Sequence, residues 1–117
     1  MNTLVLGASP DPSRYANMAI HRLRLHNHEV IAIGARKGTV SDVKITDKWP
    51  ETGIDTVTMY VGPARQPGFY QRIIDLSPRR VLFNPGTENK EFYTLLRKAG
   101  IEVVEGCTLI MLNARTY

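Results

Sequence analysis

Residues 4–13 constrain this chain more than any other stretch. Leu4-Val5-Leu6 is a short apolar run, Gly7-Ala8-Ser9-Pro10 are small, turn-forming residues, and after Ser13 the spacing Ala16, Ala19, Ile20, Leu23 is that of an amphipathic helix. A strand, a tight small-residue loop and a helix form the opening unit of a nucleotide-binding α/β domain. In such a unit the loop N–H groups and the helix N-terminus attract phosphate.

Apolar strands and helical periodicities then alternate. Glu29 to Ile33 reads as a second strand ending at Gly34, Asp55 to Val61 as a third stopped by Gly62-Pro63, Arg80 to Phe83 as a fourth, and Ile101 to Val104 as a fifth. Phe69, Tyr70, Ile73 and Ile74 form a helical stripe ended by Ser77-Pro78, and Thr87 is placed to cap a helix burying Phe92, Leu95, Leu96 and Ala99. A short terminal helix is expected over Thr108 to Leu112. Residues 36–50 have no helical period and read as a loop with at most a short extended piece at Val43 to Ile45. Near-continuous apolar strands joined by helices specify a parallel sheet covered on both faces. The expectation is a Rossmann-like three-layer α/β fold with a five-stranded parallel sheet.

Composition narrows the function classes. A chain of 117 residues with 43% apolar content suits a single domain over residues 1–117. Its apolar runs are too short to cross a membrane, and Met1 leads straight into the first strand without an export segment, so a cytoplasmic location is expected. Cys107 is the only cysteine, which excludes an internal disulfide. His21, His26 and His28 lack a carboxylate at ligand spacing, so no metal site is expected. The net charge of +4 is mild, and the basic residues of the first helix avoid its apolar stripe. They read as a solvated face, not a nucleic-acid patch. Met18 and Leu25 also fall off that stripe and hint at homo-oligomer formation.

Ligands of such sheets bind beyond the carboxyl ends of the strands where the winding reverses. The residues there form a coherent set: Gly7, Ala8 and Ser9; Gly34, Ala35, Arg36 and Lys37; Gly62, Pro63 and nearby Arg65; Asn84 to Thr87; and Gly106-Cys107. Arg79 and Arg80 precede the fourth strand at the opposite edge and read as surface charges. A dinucleotide fingerprint needs three glycines, and the equivalent positions are Gly7, Ser9 and Pro12. Where NAD sites place a carboxylate for the ribose hydroxyls, this chain has Arg36 and Lys37. Cations there favour a phosphorylated ribose, as in coenzyme A or NADP.

Residues 7–14 (Gly-Ala-Ser-Pro-Asp-Pro-Ser-Arg), the Val30 to Ile33 strand, Leu82 to Gly86 and the Ala99 to Cys107 ending resemble the small stand-alone CoA-binding proteins. These are similar to the CoA-binding domain of the succinyl-CoA synthetase alpha subunit. The resemblance implies that Gly7, Ala8 and Ser9 touch the pyrophosphate, with Arg14 beside the phosphates. It further implies that Arg36 or Lys37 meets the ribose phosphate and that Val61, Gly62 and Pro63 border the adenine, with Gly86 on the segment after strand four. The relatives' Val-Asn-Pro turn after strand two is Ile33-Gly34-Ala35 here.

No nucleophile–base pair, metal cluster or ATP loop is visible, and Ser9 reads as a phosphate or turn hydroxyl. The expectation is a binding module for the small-molecule ligand CoA or acyl-CoA, without catalytic residues, nucleic-acid partner or membrane span. The alternatives are an NADP-dependent enzyme or degenerate enzyme domain, or an interaction module that has lost its nucleotide.

Overall fold

The computed structural model describes residues 2–117. Its strands are β1 (Asn2–Leu6), β2 (Glu29–Ile33), β3 (Gly38–Val40), β4 (Val43–Thr46), β5 (Thr56–Met59), β6 (Arg80–Phe83) and β7 (Glu102–Glu105). They form one seven-stranded sheet in the order β3-β4-β2-β1-β5-β6-β7. The helices are α1 (Tyr15–Leu25), α2 (Tyr70–Leu76), α3 (Lys90–Lys98) and α4 (Thr108–Asn113), and a 3₁₀ stretch, Pro63–Phe69, leads into α2.

The sheet therefore has seven strands, not five. The five predicted strands are all present and parallel, and residues 38–46 add an edge hairpin in which β3 and β4 run antiparallel, with β4 parallel to β2. The hairpin replaces the helix that usually connects parallel strands. Val40, Val43 and Ile45 point inward while Thr39 and Lys44 are exposed, a period-two pattern only a few residues long. The reversal at Ser41, whose φ is 57°, lacks the Asn-Gly or Asp-Gly signature of such turns.

Alternation along β1 divides the core. Leu4 and Leu6 pack with Ile73 and Leu76 of α2 and Phe92 and Leu96 of α3. Val5 faces the other way, toward Ala16, Ile20 and Leu23 of α1 and Leu112 of α4. Burial on both faces is why the strand is apolar throughout. The outer side of α1 leaves Tyr15, Met18 and Leu25 exposed, the last at 75%. Among the described residues no helix is long and apolar enough to cross a membrane.

Three local expectations are corrected. The N-cap of α3 is Asn89, whose side chain accepts from the Phe92 N–H; Thr87 instead donates its hydroxyl to the Asn84 carbonyl, closing the preceding turn. Ala99 is the exposed C-cap of α3, not part of its buried face. Arg80 does stand at the far edge of the sheet but is only 6% exposed. Its guanidinium lies 4.6 Å from the Tyr117 ring, and its Nε donates to Thr56 Oγ1 at 2.9 Å. Tyr117 in turn hydrogen-bonds Thr3 through their hydroxyls at 2.6 Å. Tyr117 thus covers the sheet at Thr3 and Arg80.

Candidate functional site

The winding reverses at β1: the chain passes from β1 to β2 on one side, then returns to place β5 on the other. Gly7 ends β1 in the left-handed region, with φ +92°. Its N–H and that of Ala8 both donate to the Ile33 carbonyl at 2.9 Å. These two amides tie the loop to β2 and so are not free to receive a phosphate. The approach is close enough that a Cβ on Gly34 would lie 2.2 Å from the Ala8 carbonyl oxygen. That contact explains why glycine stands there in place of a larger turn residue.

Beyond Ala8 the loop is braced from within. Buried Asn17 donates to the Ser9 carbonyl at 3.0 Å, and Ser9 Oγ accepts from the Asp11 N–H at 3.1 Å. Asp11 accepts from the Ser13 N–H and hydroxyl, bonds that hold its carboxyl below the usual range. Because Asp11 is spent on Ser13, the start of α1 goes uncapped: its N-cap is Arg14, whose side chain makes no capping bond. The first-turn N–H groups of Tyr15 and Ala16 have no protein partner among the described residues. Such orphan donors, at the positive end of the helix dipole, are a natural anion contact.

Four strand ends converge on a groove of about 420 Å³. Gly7, Ala8 and Ser9 form its floor with Arg14, Tyr15 and Ala16 at the start of α1. Ala35 and Arg36 follow β2, Tyr60 to Gly62 and Arg65 follow β5, and Pro85 to Thr87 follow β6. Three arginines and no carboxylate line it, so its field is positive. A smaller cleft of about 210 Å³ opens behind Ala35, Val61 and Arg65 and is walled by Trp49 and Phe69, whose rings stack at 5.9 Å. A larger hollow of about 530 Å³ along the outer edge of β2 and β4 takes in the carboxyl end of a single strand, Thr46 of β4.

Of the predicted residues, Gly7, Ala8, Ser9, Arg14, Arg36, Val61, Gly62 and Gly86 share this groove. Lys37 and Pro63 do not line it; Lys37 is exposed at the entrance to the β3–β4 hairpin. The structure adds Tyr15, Ala16 and Tyr60, and brings in Ala35, Arg65, Pro85 and Thr87 from the wider set of strand-end residues. Burial pushes the Tyr60 hydroxyl up to about 12. That hydroxyl lies beside Thr58 and Thr108, but makes no hydrogen bond of good geometry. The two threonines already bond each other at 2.7 Å, and Thr58 accepts from Asn84 at 2.7 Å. The sequence placed Tyr60 inside the third strand, but β5 ends at Met59 and Tyr60 follows it; its buried polar surroundings had no signal in the sequence.

The model of the CoA binding domain family matches residues 1–113. The chain belongs to this CoA-binding family. Among solved structures, an uncharacterized protein 49% identical to it superposes with a TM-score of 0.95 over 99% of this chain and 97% of that one. A Thermus thermophilus protein at 24% identity gives a TM-score of 0.85 over 99% and 90% of the two chains, and a hypothetical protein from Pyrococcus horikoshii OT3, also 24% identical, gives 0.83 over 97% and 82%. These two support the fold alone. A search of curated proteins gives no match. In this member of the family the β1 and β2 loops close against each other through Gly34, beside the strand-end groove.

Proposed function

We propose that this chain is a cytoplasmic CoA or acyl-CoA binding module on a Rossmann-like frame, without chemistry of its own. The observation that carries the reading is the groove: three arginines, no carboxylate and an uncapped helix start, at the switch point of a CoA-binding-family sheet. Its volume lies in the range of small-molecule sites.

The pyrophosphate lies at Ser9 and the free amides of Tyr15 and Ala16, with Arg14 alongside. Gly7 and Ala8 supply close approach, not hydrogen bonds, because their amides are engaged with Ile33. Arg36, on the wall at the end of β2, meets the ribose 3′-phosphate, and Lys37 plays the lesser part. Adenine takes the side bordered by Val61 and Gly62, toward the Trp49 cleft. The pantetheine arm leaves along Pro85 to Thr87, the remaining end of the groove.

Isothermal titration with CoA, acetyl-CoA, dephospho-CoA, NADP and NAD tests the reading. CoA and acetyl-CoA should bind one site, more tightly than dephospho-CoA and with NAD far weaker. Preference for NADP over CoA, or binding of none of the five, would overturn it.

A further inference from the structure

Two walls of the groove are joined behind its surface by a single side chain. Gln66 lies within the 3₁₀ stretch, between Pro63 and Pro67, and is 0% exposed. Its Nε2 donates to the Val61 carbonyl at 2.9 Å and to the Thr87 carbonyl at 2.7 Å. Two carbonyls facing one atom require it to be the amide nitrogen, since only the –NH2 end can donate twice. The Gln66 Oε1 accepts from Asn89 Nδ2 at 3.0 Å, and the same nitrogen donates to Tyr70 Oη at 2.8 Å. Asn89 is itself fixed as the cap of α3.

Val61 follows β5 and Thr87 follows β6, so these carbonyls belong to different crossovers and have no covalent reason to keep a set separation. Both residues line the groove. Without the Gln66 amide, two buried carbonyls and the Asn89 amide would each need a new partner, and the simplest source is water admitted by spreading the loops. The opposite end of the groove is held by other bonds: Gly7 and Ala8 to Ile33, and Asn17 to Ser9. Gln66 takes no part in them.

We propose that Gln66 is the positioning residue of this groove. It holds the Gly86–Thr87 loop against the Val61–Gly62 loop, which has its own anchor on β1 in the Tyr60 N–H to Leu6 carbonyl bond at 2.8 Å, and thereby determines how firmly the pantetheine arm along Pro85 to Thr87 is gripped relative to the nucleotide end. The inference rests on the CoA reading above.

The test compares CoA with adenosine 3′,5′-bisphosphate, which has the 3′-phosphate but no pantetheine, by isothermal titration well below the melting temperature. Gln66→Met keeps the length and removes both donors. Asn89→Ser keeps an oxygen to cap α3 but releases the Gln66 amide. Gln66→Met should raise the Kd for CoA about tenfold, equivalent to one lost polar contact, and that for the bisphosphate less than about twofold. Asn89→Ser should change the ratio in the same direction by less, and carries the test if Gln66→Met does not fold. A lowered melting temperature with an unchanged ratio would make Gln66 merely structural and overturn the proposal. So would equal weakening of both ligands. Wild-type protein that binds neither ligand would overturn the CoA reading itself, an outcome separate from any effect of the variants.

Discussion

Gly34→Ala probes the loop closure on which the groove depends. The added Cβ would stand 2.2 Å from the Ala8 carbonyl oxygen, 3.1 Å from the Ala8 carbonyl carbon and 3.1 Å from Ile45 Cγ2. Non-bonded heavy atoms are comfortable at about 3.5 Å, so more than about 1 Å of movement falls on backbone. The segment that must move carries the Gly7 and Ala8 amides bonded to Ile33. Weakening two such bonds costs about 0.5–1.5 kcal/mol each, and overpacking about 1–3 kcal/mol. A net loss of about 2–6 kcal/mol is expected, or about 8–24 °C in Tm at about 4 °C per kcal/mol for a chain of this size. Gly68→Ala is the control, because a Cβ there meets nothing within 4 Å. Urea denaturation followed by circular dichroism should show a lower midpoint at unchanged slope for Gly34→Ala and little change for Gly68→Ala. CoA affinity should fall with the first variant, since Ser9 moves with Ala8. An unfolding free energy for Gly34→Ala within about 0.5 kcal/mol of the control would show that the loop accepts the methyl group without strain.

Other consequences concern charge. Arg36→Ala should weaken CoA about tenfold or more and dephospho-CoA much less, while Lys37→Ala changes either by less than about twofold, as read by titration calorimetry; equal losses for the two ligands would remove Arg36 from the ribose phosphate. Burial raises Tyr60 to about 12, so the stability from keeping its phenol neutral is intact below the unfolded value near 10 and lost as pH rises through the folded value. Tyr60→Phe should therefore flatten the alkaline limb of a Tm–pH curve between about pH 10 and 12, with little loss at neutral pH because the hydroxyl has no partner. Asp55 accepts from Arg79, with Nε at 2.9 Å, and this guanidinium holds its carboxyl below the usual range. Stability from that pair is complete above the unfolded value near 4 and lost as pH falls through the folded value. Arg79→Leu should lower Tm at neutral pH and by less near about pH 2, and an equal drop at both would contradict the assignment.

The sheet's central strands were legible because burial on both faces leaves runs such as Leu4-Val5-Leu6 and Val81-Leu82-Phe83 with no polar interruption. The groove was legible for a topological reason: residues following parallel strands must share one edge, and eight of the ten site residues lie on its wall. What escaped depends on partners distant in sequence. β3 and β4 are too short to carry a period, so only the extended piece at Val43 to Ile45 was legible and not its pairing along the open edge of β2. Gln66 between two prolines looks like an ordinary turn residue until the Thr87 carbonyl, 21 positions on, arrives beside it. Arg80 looks like a surface cation until Tyr117 folds over it. The direction of the Gly7 and Ala8 amides was likewise hidden, because it is set by the Ile33 carbonyl of the neighbouring strand.

The claim that phosphate-bearing CoA occupies the groove at the ends of β1, β2, β5 and β6 is tested most directly by titrating ¹⁵N-labelled protein with CoA and following backbone amide shifts. The largest changes are expected at Ser9, Tyr15 and Ala16, clear changes at Arg36, Gly62 and Gly86, and small ones at Gly7 and Ala8, whose amides stay bonded to Ile33. Shifts centred on the outer β2–β4 hollow, or no shifts at saturating CoA, would contradict it.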